Sequence, residues 1–257
     1  MKFEPNIHTL VWGSESWEIS AHRSSPSIIA DGPEKGRSLA DVEPGFPLLT
    51  KVIDAEMRLS VQVHPNERTA LVAGGEPKAE LCCVLEPGPI YAGFKSGVGM
   101  AEVERAVANG GFEDILVKHD AKKYDTFFIP GGLVHAIGDG VKLYEVQQSS
   151  STTYRLYDWN RVGFDGRPRE LHVAKSLECV DFDLAVPVPV RNLECEFFEF
   201  TQHDFAEDSE VVAESGCLLV YEVGKSLSTL LRRGEKTMVG AGHVFLTSAS
   251  RHPISFS

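Results

Sequence analysis

The 257-residue chain is short of positive charge, of cysteine and of long apolar runs. Lys and Arg number 25 against 37 Asp and Glu, a formal net charge of -12. With no Lys/Arg-rich run to offset it, such a surface repels nucleic acid and anionic membrane, so neither is expected as a partner. A small anionic substrate remains open, provided a few cations are placed to meet it. No apolar stretch approaches the ~18 residues needed to cross a bilayer, and the opening MKFEPNIHTLVWG has no apolar core of leader length. The five cysteines, Cys82, Cys83, Cys179, Cys195 and Cys217, are odd in number and form no C-x-x-C pair. That usage suits buried thiols in a reducing compartment and argues against a disulfide framework or a zinc knuckle. The expectation is a soluble cytoplasmic protein, a monomer or weak homo-oligomer.

What the chain does have is many short apolar or alternating runs separated by Gly, Pro and Asp: SWEIS, PLLTKVI, LSVQVH, LCCVL, PIYAGF, DTFFIP, VKLYEVQQ and TTYRLYDW. This is the signature of a β-sandwich or barrel. Two stretches read as helical. In GMAEVERAVANGG, Met100, Val103 and Val107 recur at helical spacing before Gly110-Gly111. In RELHVAKSLECVDF, Leu171, Ala174 and Leu177 do the same. The alternating prolines of DLAVPVPVRNL cannot continue a helix. They predict a boundary near residues 185–190, between a catalytic domain over 1–185 and a β domain over 190–257 that binds no metal. A weak echo links YDTFFIPGGLVH (124–135) to AGHVFLTSASRH (241–252), although the second copy lacks Pro and Gly.

The stretch LSVQVHPNE puts Ser60, Gln62 and His64 at every second position, with Leu59, Val61 and Val63 between them. On a strand, Gln62 and His64 share a face about 6–7 Å apart, a reasonable span for a metal, or simply a polar face ended by Pro65. KAELCCVLEP offers Lys78 and Glu80 in the same relation, either a surface ion pair or part of a site. DTFFIPGGLVH is more specific. Its Asp-x4-Pro-x-Gly-x2-His spacing matches the second motif of cupins, whose histidine binds metal inside a barrel, and here that histidine is His135. YEVQQSSSTTYRLYDWNR adds Glu145, Gln147, Arg155 and Arg161. On an unbroken strand Arg155, Tyr157 and Trp159 share a face, and an arginine held between aromatics is a natural anion clamp. The plainer reading is an edge-strand arginine paired with Asp158 or a neighbour. Two imidazoles, a glutamate and a glutamine carbonyl form a nitrogen–oxygen donor set without thiolate, which suits a borderline divalent ion such as zinc.

Taken together, ESWEISAH, FPLLTKVIDAEMRLSVQVHP, KAE, IPGGLVHAIGDG and YEVQQSSSTTYRLYDW resemble the type I mannose-6-phosphate isomerases of the short bacterial kind, in order from about residue 10 to 183. The resemblance implies a mainly β fold of two cupin-like jelly-roll barrels with a small helical element. It implies one zinc per chain on Gln62, His64, Glu80 and His135. It implies Lys78, Arg155 and Glu145 as catalytic residues and Ser60 as a substrate contact, with a sugar phosphate as substrate. The chain departs from the family in three places. VWG runs directly into SESWEIS, Ser151 stands where relatives carry an acid, and Cys82-Cys83 stand where aromatics are common.

The implied reaction interconverts mannose 6-phosphate and fructose 6-phosphate through an enediol. A cation stabilises its oxygen charge, a base moves the carbon-bound proton, and Arg155 holds an anion. Two other readings compete: a non-catalytic sugar-binding or regulatory cupin, and an iron cupin oxygenase. The oxygenase pattern of His-x-His plus Glu is broken here by glutamine at the first place of QVH.

Overall fold

The computed structural model describes residues 1–225 and 227–249. The chain opens with β1 (Ile7–Leu10), β2 (Gly13–Ser20), α1 (Leu39–Val42), β3 (Leu48–Ala55), β4 (Val61–Val63) and α2 (Glu67–Ala73). It continues through β5 (Glu80–Glu86), β6 (Gly88–Phe94), α3 (Met100–Asn109), α4 (Phe112–Ile115), β7 (Leu116–Ala121), β8 (Thr126–Ile129) and β9 (His135–Ile137). Next come β10 (Lys142–Gln148), β11 (Tyr154–Tyr157), α5 (Val173–Cys179), β12 (Leu193–Glu194), β13 (Phe198–Phe205) and β14 (Ser209–Val212). The described chain closes with β15 (Leu218–Glu222), β16 (Leu227–Leu231), β17 (Lys236–Val239) and β18 (Gly242–Ala249). The protein is therefore mainly β, and among the described residues no helix is long and apolar enough to cross a membrane.

Two sheets matter most for the site. One has the order β1-β2-β3-β10-β5-β8 and the other β11-β4-β9-β6-β7. Between them lies a core of Ile53, Ala55, Cys82, Val84, Phe127, Ile129 and Leu143 from the first sheet, with Ile90, Ala92 and Ile137 from the second. The opposite face of the second sheet is covered as well. Val61, Val63, Tyr91, Ala136, Tyr154 and Leu156 pack there against Val103 and Ala106 of α3, Phe112 of α4 and Cys179 of α5. Strict alternation then forces Gln62, His135 and Arg155 inward, between the sheets.

The described chain divides into two compact units. One takes Met1–Asn6, Trp17–Leu49 and the segment from Val190 onward, and the other takes Ile7–Ser16 and Thr50–Pro189. The expected division had assigned residues 17–49 to the catalytic domain. In the first unit, β12-β13-β18-β15-β16 form a sheet and β14-β17 a separate ribbon. The echo motif supplies β18, while its last histidine, His252, lies outside the described residues.

Several local expectations change. α3 forms between Gly99 and Gly110, but its fully buried positions are Val103 and Ala106, while Met100 is exposed. α5 is shorter than its apolar pattern, and it buries Ser176 and Cys179 while Leu171 is exposed. The run TTYRLYDW does not stay a strand. A register shift between Arg155 and Tyr157 inserts an extra residue opposite β4. Such a bulge reverses the facing of the residues beyond it, so Tyr157 packs with the helix-side cluster while Arg155 faces inward. Trp159 lies past the strand, in a turn with positive φ.

Candidate active site

Three strands of the six-stranded sheet run from charged to apolar along one inner face. On β3 the order is Lys51, Ile53, Ala55; on β5 it is Glu80, Cys82, Val84; on β10 it is Gln147, Glu145, Leu143. The antiparallel register sets Glu145 opposite Cys82 and Gln147 opposite Glu80, which gathers the polar residues at one end. From the facing sheet, Gln62 pairs in register with His135 of β9 and with Arg155 of β11. Among the predicted residues, Gln62, His64, Lys78, Glu80, His135 and Glu145 thus converge, with Arg155 on the same inner face.

Glu80 lies between the two imidazoles. Its Oε2 is 3.3 Å from His64 Nε2 and its Oε1 is 3.0 Å from His135 Nε2. His64 Nδ1 is 2.9 Å from the Thr152 carbonyl and His135 Nδ1 is 3.0 Å from the Leu133 carbonyl. A carbonyl only accepts, so both rings donate from Nδ1, which leaves each Nε2 facing Glu80. Gln62 Nε2 is 3.1 Å from His135 Nε2, and Ser60 Oγ donates to Gln62 Oε1 at 3.3 Å. A half-turn of that amide exchanges its oxygen for its nitrogen, and Ser60 Oγ can then accept.

The Pro130-Gly131-Gly132 turn couples the two histidines. Gly132 N donates to the His64 carbonyl at 2.8 Å. A Cβ on Gly131 would lie 2.7 Å from the Pro65 carbonyl oxygen, and Gly132 has φ +101°, so neither position tolerates a side chain easily. The turn therefore delivers His135 to the site from a backbone that is itself fastened at His64.

Lys78 Nζ lies 2.8 Å from Glu80 Oε2 and 3.4 Å from His64 Nε2. Lys51 Nζ sits 3.4 Å from Glu15 and 3.5 Å from Glu145. Three carboxylates thus face two ammonium groups, which leaves the cluster able to take a further cation. Glu80 Oε2 and Glu145 Oε1 are buried beside these ammonium groups, yet neither accepts a well-aligned hydrogen bond among the described residues. Two imidazole Nε2 atoms, a buried carboxylate oxygen with lone pairs to spare and an amide make a donor set that fits zinc.

Burial, and then the Lys78 charge, pull the His64 imidazole down to about 4, which keeps it neutral and available as a ligand. Burial alone would raise Glu80, but Lys78, His64 and His135 outweigh it and hold the carboxylate well below its usual range. Glu145 moves the other way, pushed up by burial and by the Glu80 charge. For Lys51, burial is outweighed by Glu15 and Glu145, so its pKa is raised and it stays protonated.

Arg155 is not paired with Asp158. Asp158 instead binds Arg161 at 2.6 Å and Arg169 at 2.7 Å. Arg155 Nε is buried with no hydrogen bond among the described residues. Burial, then the neighbouring Arg169, lower its pKa. Sequence reasoning missed Lys51 and Glu15. The available signal was a lysine inside the apolar run PLLTKVI, which alternation sends to the same face as Ile53.

Residues 2–80 match the family model described as phosphomannose isomerase type I, catalytic domain. The mannose-6-phosphate isomerase ManA of Bacillus subtilis (strain 168) is 33% identical over 213 residues, covering 70% of this chain and 67% of that protein. The chain belongs to the type I phosphomannose isomerase family. Within that family, the mannose-6-phosphate isomerase of Streptococcus mutans is 38% identical over 180 residues, covering 64% of this chain and 57% of the relative. The chain thus spans little more than half the length of that second relative. The fold is that of the crystal structure of mannose 6-phosphate isomerase from Bacillus subtilis, with TM-score 0.80, 24% identity and coverage of 96% of this chain and 98% of the other. It also matches a mannose 6-phosphate isomerase described as holo and zinc bound, with TM-score 0.62, 16% identity and coverage of 97% and 99%.

Proposed function

We propose that this chain is a zinc-dependent aldose–ketose isomerase that interconverts mannose 6-phosphate and fructose 6-phosphate through an enediol. The carrying observation is the convergence of His64, Glu80 and His135, whose ligand atoms all lie within 4.8 Å of one another, with Lys78 against Glu80. The type I relatives, and the zinc reported for one structural neighbour, support the same reading. Zinc would be held, one per chain, by Gln62, His64, Glu80 and His135, and when bound it supplies a Lewis acid for negative charge developing on sugar oxygen. The β domain over 190–257 binds none.

The chain's own groups do the rest. Isomerisation moves one proton between C2 and C1 while the carbonyl shifts the other way. Lys78 Nζ is buried beside Glu80; once it has passed its own proton to Glu145, it can take the carbon-bound proton of the sugar and return it to the neighbouring carbon. Glu145 has an elevated pKa and lies 4.0 Å from Lys78, so it is suited to exchange protons with it. Arg155 brings a cation with a free Nε to the same face and clamps an anionic oxygen. Ser60 donates to a sugar oxygen or to Gln62. The oxygenase reading gains nothing from this arrangement, because glutamine occupies the place of its first histidine.

A coupled assay on zinc-replete protein tests the proposal. Turnover of mannose 6-phosphate is expected, with Lys78→Ala acting on kcat more than on KM. Conversion of a different sugar phosphate alone would overturn the substrate. Binding of sugar without conversion of any would favour the non-catalytic reading.

A further inference from the structure

Residues 58–60 lie outside any strand, yet they lead directly into Gln62 and include Ser60. Their backbone is held from two sides. Leu59 N donates to the Ile137 carbonyl at 2.8 Å, which ties the segment to the strand that begins at His135. On the other side, consecutive carbonyls are captured by one turn. Trp159 Nε1 donates to the Leu59 carbonyl at 2.7 Å, and Arg161 Nη1 donates to the Arg58 carbonyl at 2.8 Å. The Arg58 guanidinium stacks 4.1 Å over the Trp159 ring.

That turn, Asp158 to Arg161, begins only three residues after Arg155. Its central residues Trp159 and Asn160 have φ +57° and +55°. Positive φ at two successive non-glycine residues, one of them tryptophan, is strained and persists only where surrounding contacts impose it. Here Asp158 imposes it, gripping Arg161 at 2.6 Å and Arg169 at 2.7 Å. The turn is thereby joined both to the bulged strand that aims Arg155 inward and to the segment that carries Ser60.

We infer that Trp159 and Arg161 are positioning residues, which hold Ser60, just before β4, at a set distance from Arg155, whose strand pairs in register with Gln62. Neither touches His64, Glu80 or His135, three of the four proposed metal ligands, whose anchors are Thr152, Leu133 and each other. The inference rests on the isomerase reading for its kinetic consequences but not for its structural one. Misplacing a positioned group by about 1 Å can cost on the order of a hundredfold in rate.

The test compares wild type with Trp159→Phe, which keeps the stacking ring and removes only the N–H, and with Arg161→Lys, which keeps the charge beside Asp158 but loses the second arm. Zinc content, thermal midpoint, kcat and KM for mannose 6-phosphate, and amide exchange at Ser60, Val61 and Gln62 are measured. Both variants are expected to hold one zinc. Their kcat should fall roughly ten- to a hundredfold at temperatures well below the midpoint, with a smaller change in KM and faster exchange at those amides. A lowered midpoint with unchanged kcat and unchanged exchange would reduce the turn to a structural staple and overturn the inference. If wild-type protein fails to turn over mannose 6-phosphate, the isomerase reading falls by itself. Amide exchange then decides the positioning alone: faster exchange supports it, and unchanged exchange refutes it.

Discussion

The space between the two main sheets has two ends built from the same strands, and they obey opposite rules. At one end, Ile53, Cys82, Val84, Phe127 and Leu143 are each at most 2% exposed and belong to one apolar cluster, with Cys82 at its border toward Glu80 and Glu145. At the other, Lys51, Lys78, Glu80, Glu145, His64 and His135 are each at most 6% exposed. The apolar end stabilises the fold by removing surface from water. The charged end takes ions out of water, a cost that pairing only partly offsets. A strand such as β5 passes from Glu80 to Val84 along one face, so within five residues its contribution changes from function to stability.

Removing a proposed zinc ligand at the charged end should have the largest consequence. His64→Ala and His135→Ala are expected to lose zinc and activity together, by about a thousandfold or more, since a Lewis acid supplies several kcal/mol of transition-state stabilisation. Elemental analysis checks this, and full zinc occupancy in both variants would break the assignment. At the apolar end, Phe127→Ala should cost about 3–5 kcal/mol in denaturant unfolding while the folded protein still binds one zinc. Loss of zinc from folded Phe127→Ala would blur the division between the ends.

Lys51 sharpens the comparison because it is charged but not a ligand. Lys51→Met leaves the buried Glu145 with only Lys78, at 4.0 Å, and the half-buried Glu15 without this cation, which should destabilise by about 3 kcal/mol. Adding Glu145→Gln should recover part of that loss, and strict additivity of the two changes would contradict the pairing. Arg155→Ala should leave zinc in place and lower kcat/KM by about 1.5–3 kcal/mol, the worth of a hydrogen bond to a charged group. The smallest effect concerns acid. Burial would raise Asp158, but hydrogen bonds from Arg169 and Arg161 outweigh it and lower its pKa. A depressed carboxylate contributes stability above its unfolded value, near 3.8, and loses it as pH falls through the folded value. Asp158→Asn should therefore be less stable than wild type at pH 7, and the gap should close below about pH 4. A gap that stays constant with pH would show that charge is not the cause.

The charged end was legible in the sequence where residues recur two apart on a strand. Gln62 and His64, Lys78 and Glu80, and His135 after its Pro-Gly-Gly turn are all local patterns. The facing of Lys51 was legible in PLLTKVI but its partners were not, because Glu15 and Glu145 lie far from it in the chain and only sheet order brings the three together. The facing of Tyr157 was misjudged because a bulge is a relation between two strands and leaves no mark in the alternation of one. The buried face of α5 was misjudged because Ser176 and Cys179, its most buried residues, are small and carry little apolar signal. The division of the chain was obscured for a related reason: residues 17–49 cluster with a segment that starts at Val190.

The most direct test of the account tracks one activity through metal removal. Isomerisation of mannose 6-phosphate by the wild-type chain is measured zinc-replete, after complete chelation, and after zinc is returned. The account predicts turnover, its loss, and its recovery at one zinc per chain. A zinc-replete chain that leaves mannose 6-phosphate unchanged, or turnover that survives complete removal of metal, would contradict it.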